Sequence, residues 1–208
     1  MLALSLPEWV PPGIHVWLLP LGLTASIREA DWYLLDGEER TKAKQFHHHT
    51  DRVRMVVTRA ALRRQLGECV GCAPSALRFE YGLNNKPRLG QHPALAFNVS
   101  HSGEYALIAV SSSPTVVSVG IDIEQQSAGL ELDDLSEYAF TAMERQFLGQ
   151  CGRPDDESSS FNYLSAFFLN WVAKEAALKA VGVGISKHLQ AVSIRSSANG
   201  HLAVEHNL

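Results

Sequence analysis

The 208 residues carry 46% hydrophobic and 19% charged side chains and a formal net charge of −4, a globular balance that excludes a disordered or low-complexity chain and suffices for one large domain or two small ones. Three cysteines are too few, and odd in number, for a disulfide framework, and the Cys69/Cys72 pair lacks the further ligands of a zinc site, so reduced thiols in a cytoplasmic protein are expected. The uncharged stretch 10–27 is broken by Pro11, Pro12, Gly13, Pro20 and Gly22 and follows no basic segment, so neither a membrane span nor a secretory signal is expected.

In chain order the sequence predicts a strand at 15–21 and helices at 31–43 and 51–66. In the second helix Val53, Val56, Val57, Ala60, Ala61 and Leu62 recur at helical spacing, with Gly67 as the stop. A short helical turn at 74–77, a strand at 77–81 and a turn region at 82–90 follow. Three strands are expected at 95–99, 105–111 and 116–123. Helices at 132–139 and 141–148 come next, the second opened by a Thr141/Glu144 capping box. A polar loop at 152–160 precedes the longest helix, 161–181, which Gly182-Val183-Gly184 stops. A hairpin of 191–195 and 201–205 around Asn199-Gly200 closes the chain. This order predicts an α+β chain with two similar α+β halves.

Charge is unevenly spread. Residues 40–64 hold eight basic side chains and one acid, 8 − 1 = +7, whereas 122–157 hold ten acids and two bases, 2 − 10 = −8. The first segment suits a polyanion and the second a cation, although each is also what a solvated helix face looks like. The acidic half argues against nucleic acid.

Three motifs carry chemistry. In Gly120-Ile121-Asp122-Ile123-Glu124, alternation along a strand puts both carboxylates on one face and both isoleucines on the other. Paired carboxylates repel unless a cation sits between them, and hard oxygen ligands select magnesium or manganese over zinc; an edge strand with a solvated acidic face fits the same pattern. In WVAKEAALK, residues 171–179, Trp171, Glu175 and Lys179 form one helical stripe with Lys174 on its flank. Glu175 would add a third carboxylate, and Lys174 and Lys179 two ammonium groups for phosphates; an exposed Glu–Lys pair fits the same spacing. In 98–103, NVSHSG, His101 leaves a strand into small polar residues, where an imidazole and backbone N–H groups can meet a phosphate; a turn histidine that binds nothing fits the same pattern. His47-His48-His49 cannot share one helix face and is expected as a solvated turn. The aromatics Phe161, Tyr163, Phe167, Phe168 and Trp171 are expected mostly as core contacts.

NVSHS, then GIDIE, then WxxKEAxxK, in this order, resembles the 4′-phosphopantetheinyl transferases, in the long Sfp-type branch that carries both halves of the site on one chain. The resemblance covers about 35–194. It implies an N-terminal half, 1–103, on the side of the coenzyme A 3′-phosphate and adenine. The C-terminal half, 104–208, would carry the metal and the chemistry, with the active site where the two meet. It further implies transfer of the 4′-phosphopantetheine arm of coenzyme A to a serine of an apo acyl or peptidyl carrier protein, by a monomer. Asp122, Glu124 and Glu175 match the metal ligands, with Glu175 also the candidate base and Lys179 the group neutralising the transferred phosphate. His101 and Lys174 match phosphate ligands. Lys42 and Arg54, with Arg40, fall where the 3′-phosphate is held. Lys86 and Pro87, after Tyr81-Gly82, match the family's GKP stretch near the adenine, with Ser100 beside it, and Glu144 matches a family acid. Two departures stand out: Leu83, Asn84 and Asn85 intervene before Lys86, and only a short stretch follows Lys179, so either an abbreviated second half or a sheet with an unusual edge is expected. Two rival functions share these residues, a non-catalytic binder of coenzyme A or carrier protein and another magnesium-dependent nucleotide phosphodiesterase.

Overall fold

A computed structural model of the chain describes residues 1–82, 84–127, 132–151, 163–185, 188–196 and 202–207. The expected loop at 152–160, Phe161 and the Asn199-Gly200 turn lie outside them. The chain divides into two compact units, Met1–Val119 and Gly120–Leu208, and both are built of helices and strands as an α+β fold requires. The division falls after Val119 rather than at the expected 103/104. A strand hairpin straddles that earlier point and belongs whole to the first unit.

The first unit is built on a four-stranded antiparallel sheet of β1 (Leu2–Ala3), β2 (Ile14–Pro20), β5 (Ala96–Ser102) and β6 (Tyr105–Ser111), in the order β1-β2-β6-β5. Leu19, Phe97, Ile108 and Val110 supply its buried side, and Leu62, Leu66, Leu77 and Leu89 pack in the same cluster. Gly103, at φ +54°, turns β5 into β6 where a side chain would strain the backbone. A separate hairpin pairs β3 (Phe79–Tyr81) with β4 (Pro87–Leu89), Tyr81 opposite Pro87. Leu83 lies outside the described residues; Asn84 and Asn85 lie in the hairpin's loop, which Asn85 helps close from a left-handed φ of 57°.

The helix expected at 31–43 is two helices, α1 (Glu29–Leu34) and α2 (Gly37–Gln45). Asp36 interrupts them by capping α2: its carboxylate accepts from Glu39 N–H, and Glu39 accepts from Asp36 N–H. Helix α3 (His49–Val70) runs through Gly67 and ends at Gly71, in the left-handed conformation. Gly67 is instead a point of close packing, where a Cβ would press on the Cys72 carbonyl and Pro74. Much of the basic segment serves this unit's interior. Arg63, fully buried, donates to Glu39 Oε2 at 2.8 Å, Asp36 Oδ2 at 2.7 Å and the carbonyls of Pro74 and Leu77. Arg64 pairs with Asp31, and Arg40 donates to the Leu35 carbonyl.

The second unit holds α4 (Leu132–Ala139), α5 (Ala142–Leu148), α6 (Tyr163–Val181) and the antiparallel hairpin β7 (Val192–Ser196)/β8 (Leu202–His206). Thr141 and Glu144 form the expected capping box. Phe140, Leu148, Phe167, Phe168, Leu178 and Ile194 make the core. Phe167 meets Phe140 edge-on at 5.1 Å and stacks on Trp171 at 5.8 Å.

The segment expected as a strand at 116–123 belongs to none of the sheets among the described residues. Its place is fixed otherwise. Lys86 Nζ donates to Ser118 Oγ at 2.7 Å and to the Val119 carbonyl at 3.2 Å. From Gly120 the backbone lies directly against α6, and a Cβ there would collide with the Ala176 carbonyl and the Ala180 amide. Only glycine permits that approach.

Candidate functional site

The second unit gathers the acidic cluster. Asp122 and Glu124 extend from the segment that Gly120 lays on α6, and Glu175 rises from α6 itself. One carboxylate oxygen of each lies within 4.8 Å of the others. Extended backbone alone puts residues i and i+2 on one side, so the pair faces together without a sheet. Lys179 Nζ donates to Asp122 Oδ1 at 2.5 Å and lies 3.6 Å from Glu175 Oε2. Burial pushes the Glu175 carboxyl above its ordinary value, the Asp122 and Glu124 charges add to this, and Lys179 opposes it. The donor set is all hard carboxylate oxygen with no soft ligand, which fits a divalent cation such as magnesium or manganese.

Lys174 is a correction. It lies on α6 next to Glu175 but faces the core, at 0% exposure. Its Nζ donates to the carbonyls of Ala139 at 3.0 Å, Leu189 at 2.9 Å and Val192 at 2.7 Å, and pairs with Glu144 Oε2 at 2.7 Å. Burial draws its pKa down and the Glu144 carboxylate opposes this. An ammonium so enclosed cannot reach a phosphate. Glu144 in turn accepts from Ile194 N–H at 2.7 Å and from Thr141, so it is the partner of a buried lysine.

The first unit holds a cavity of about 350 Å³ lined by Lys42, Arg54, Met55, Thr58, Arg59, Pro87, Asn98 and His101 among others. The expected Lys42, Arg54, Pro87 and His101 thus meet. Arg54 pairs with Asp51 at 2.6 Å and donates to the Gly103 carbonyl at 3.2 Å. Arg59 lies 4.6 Å above the Phe79 ring and 3.3 Å from Glu39. Two expected residues stand apart. Lys86 spends its ammonium on Ser118 and Val119, and burial lowers its pKa. Ser100 is 7% exposed, is not among the cavity's lining residues, and alternates to the face of β5 opposite His101. Thr58 and Arg59 were not singled out from the sequence; the i, i+4 spacing of Arg54 and Thr58 was the available signal. Of the histidine run, His49 pairs with the Ala25 carbonyl and all three are exposed. The three cysteines are free. Among the described residues no helix is long and apolar enough to cross a membrane.

Two family profiles match the chain: "4′-phosphopantetheinyl transferase, N-terminal" over residues 28–113 and "4′-phosphopantetheinyl transferase superfamily" over 118–208. A 4′-phosphopantetheinyl transferase of Bacillus subtilis is 32% identical over 171 residues, 82% of this chain and 70% of that protein. The 4′-phosphopantetheinyl transferase HetI of Nostoc is 33% identical over 177 residues, 84% of this chain and 70% of HetI. The transferase Sfp of Bacillus subtilis strain 168 is 28% identical over 169 residues, 81% and 69% of the respective chains. With the acidic cluster and the basic cavity each falling inside a matched segment, this chain belongs to the 4′-phosphopantetheinyl transferase family.

Proposed function

We propose that the chain transfers the 4′-phosphopantetheine arm of coenzyme A to a serine of an apo acyl or peptidyl carrier protein and releases adenosine 3′,5′-bisphosphate. The observation that carries this reading is the meeting of Asp122, Glu124 and Glu175 beside Lys179. Asp122, Glu124 and Glu175 would hold magnesium or manganese, which when bound supplies positive charge against phosphoryl oxygens.

In the reaction the serine Oγ bonds to the β-phosphorus of coenzyme A. The bond from that phosphorus to the bridging oxygen breaks, and its electron pair leaves with adenosine 3′,5′-bisphosphate. Glu175 takes the serine proton; its burial beside other carboxylates raises its proton affinity, which suits a base. Lys179 donates a hydrogen bond to a phosphoryl oxygen as charge develops there. Lys42, Arg54 and His101 bind the phosphate of the nucleotide end, and Pro87 gives that cavity an apolar wall.

Intact-protein mass spectrometry tests this directly. The protein is mixed with coenzyme A, magnesium and a panel of apo carriers of the fatty acid, polyketide and nonribosomal peptide types. The expected result is a gain of one phosphopantetheine mass on at least one carrier, lost on adding EDTA. No gain on any carrier, while a known transferase loads the same panel, overturns the reading.

A further inference from the structure

Helix α3 presents Arg54, Thr58 and Arg59 to the cavity of the first unit. Thr58 is only 6% exposed, and among the described residues its Oγ1 has no hydrogen-bond partner. The same holds for Arg54 Nε and Arg59 Nη1, both buried. A threonine inside a helix can return its hydroxyl hydrogen to a carbonyl one turn back. Thr58 does not, although it sits mid-helix. A buried hydroxyl left unmet is unfavourable, and so is a buried guanidinium N–H.

What these atoms offer narrows what would satisfy them. The two guanidinium groups can only donate. Asp51 already neutralises part of Arg54, and Glu39 part of Arg59, while Lys42 adds a further positive charge at the cavity wall. An oxyanion with several acceptor oxygens suits this set better than a neutral base edge, which presents acceptors and donors together. A phosphate monoester is such a group.

We propose that the Thr58 hydroxyl donates to an oxygen of a phosphate monoester in this cavity, between Arg54 and Arg59, and so helps set the preference for ligands that carry that group. The proposal rests on the reading that the cavity takes the nucleotide end of coenzyme A, whose 3′-phosphate is a monoester.

A ligand-serving hydroxyl moves two measurements in opposite directions. Thr58→Val keeps the shape and removes the unmet hydroxyl. Thermal unfolding of the ligand-free variant should therefore occur at the same or a higher temperature. By titration calorimetry its affinity for adenosine 3′,5′-bisphosphate should fall roughly five- to tenfold. Its affinity for adenosine 5′-phosphate, which lacks the 3′ group, should stay within about twofold, and Thr58→Ser should bind the bisphosphate within about twofold of the unaltered chain. Unchanged bisphosphate affinity in Thr58→Val overturns the proposal. So does an equal loss for both nucleotides, or a lower unfolding temperature with affinity intact, since each marks a hydroxyl that serves only the fold. If the unaltered chain binds neither nucleotide nor coenzyme A, the proposed function falls as well.

Discussion

Helix α6 treats charge in opposite ways on two of its faces. On one, the Lys174 ammonium is enclosed by three carbonyls and the Glu144 carboxylate, more acceptors than its three protons need. On the other, Glu175 meets the carboxylates of Asp122 and Glu124, with Lys179 beside Asp122 and Glu175. A buried charge with every valence met holds a fold together. Burial separates the two faces: Lys174 is fully enclosed, whereas Glu175 and Lys179 keep part of their surface exposed.

The comparison can be broken most directly at Glu175. Glu175→Gln should lower transfer by roughly 10²- to 10⁴-fold with an unchanged unfolding temperature, and a variant keeping most of its turnover removes the residue from the chemistry. Next, Lys174→Ala should cost about 3–5 kcal/mol in urea unfolding, because it strands the buried Glu144. The paired change Lys174→Met with Glu144→Leu should recover much of that loss. A stable Lys174→Ala chain with weakened coenzyme A affinity would instead mean that Lys174 reaches the ligand. Third, magnesium at about a hundred times its dissociation constant should stabilise the unaltered chain by about 2.7 kcal/mol. The shift should vanish in Asp122→Asn and persist in Thr58→Val; a shift that survives Asp122→Asn puts the cation elsewhere.

The smallest effect concerns Asp31, a buried acid treated like Lys174. Burial pushes its carboxyl up, but hydrogen bonds from Arg28 and Arg64 outweigh this and hold it below the ordinary value. A carboxyl depressed on folding contributes stability that is present above its unfolded pKa, about 3.9, and is lost as pH falls through the folded value. Urea unfolding of the unaltered chain should thus weaken more steeply below about pH 4 than that of Asp31→Asn. Parallel curves would show that the pair of arginines contributes no net preference for the charged form.

Much of this was legible in the sequence, for identifiable reasons. Helix α4 and strand β6 carry their expected bounds, and the Thr141/Glu144 box needed only local chemistry. Asp122 and Glu124 were legible as a pair because alternation belongs to extended backbone in general, and their carboxylates do lie close together. The segment 116–123 falls in none of the described sheets, and its β-branched residues also suit a stretch laid against a helix. The interrupted helix at Asp36 was missed because capping competes with apolar periodicity. Lys174 was misplaced because spacing reports a face and not its burial. The signal was there: Phe167, Trp171, Lys174 and Leu178 fall at i, i+4, i+7 and i+11, an apolar stripe with one lysine inside it.

Gly120 touches main chain with main chain, and this sets how the carboxylate cluster could ever be retuned. Two of the three acids ride on a segment whose distance from α6 has no side chain as spacer. Exchanging neighbouring residues can alter charge or polarity around the cluster but cannot widen its bore. Accommodating a markedly larger ion would mean peeling the segment off the helix. The spacing of the three carboxylates is thereby written into a backbone contact, and a single methyl group at position 120 would be enough to rewrite it.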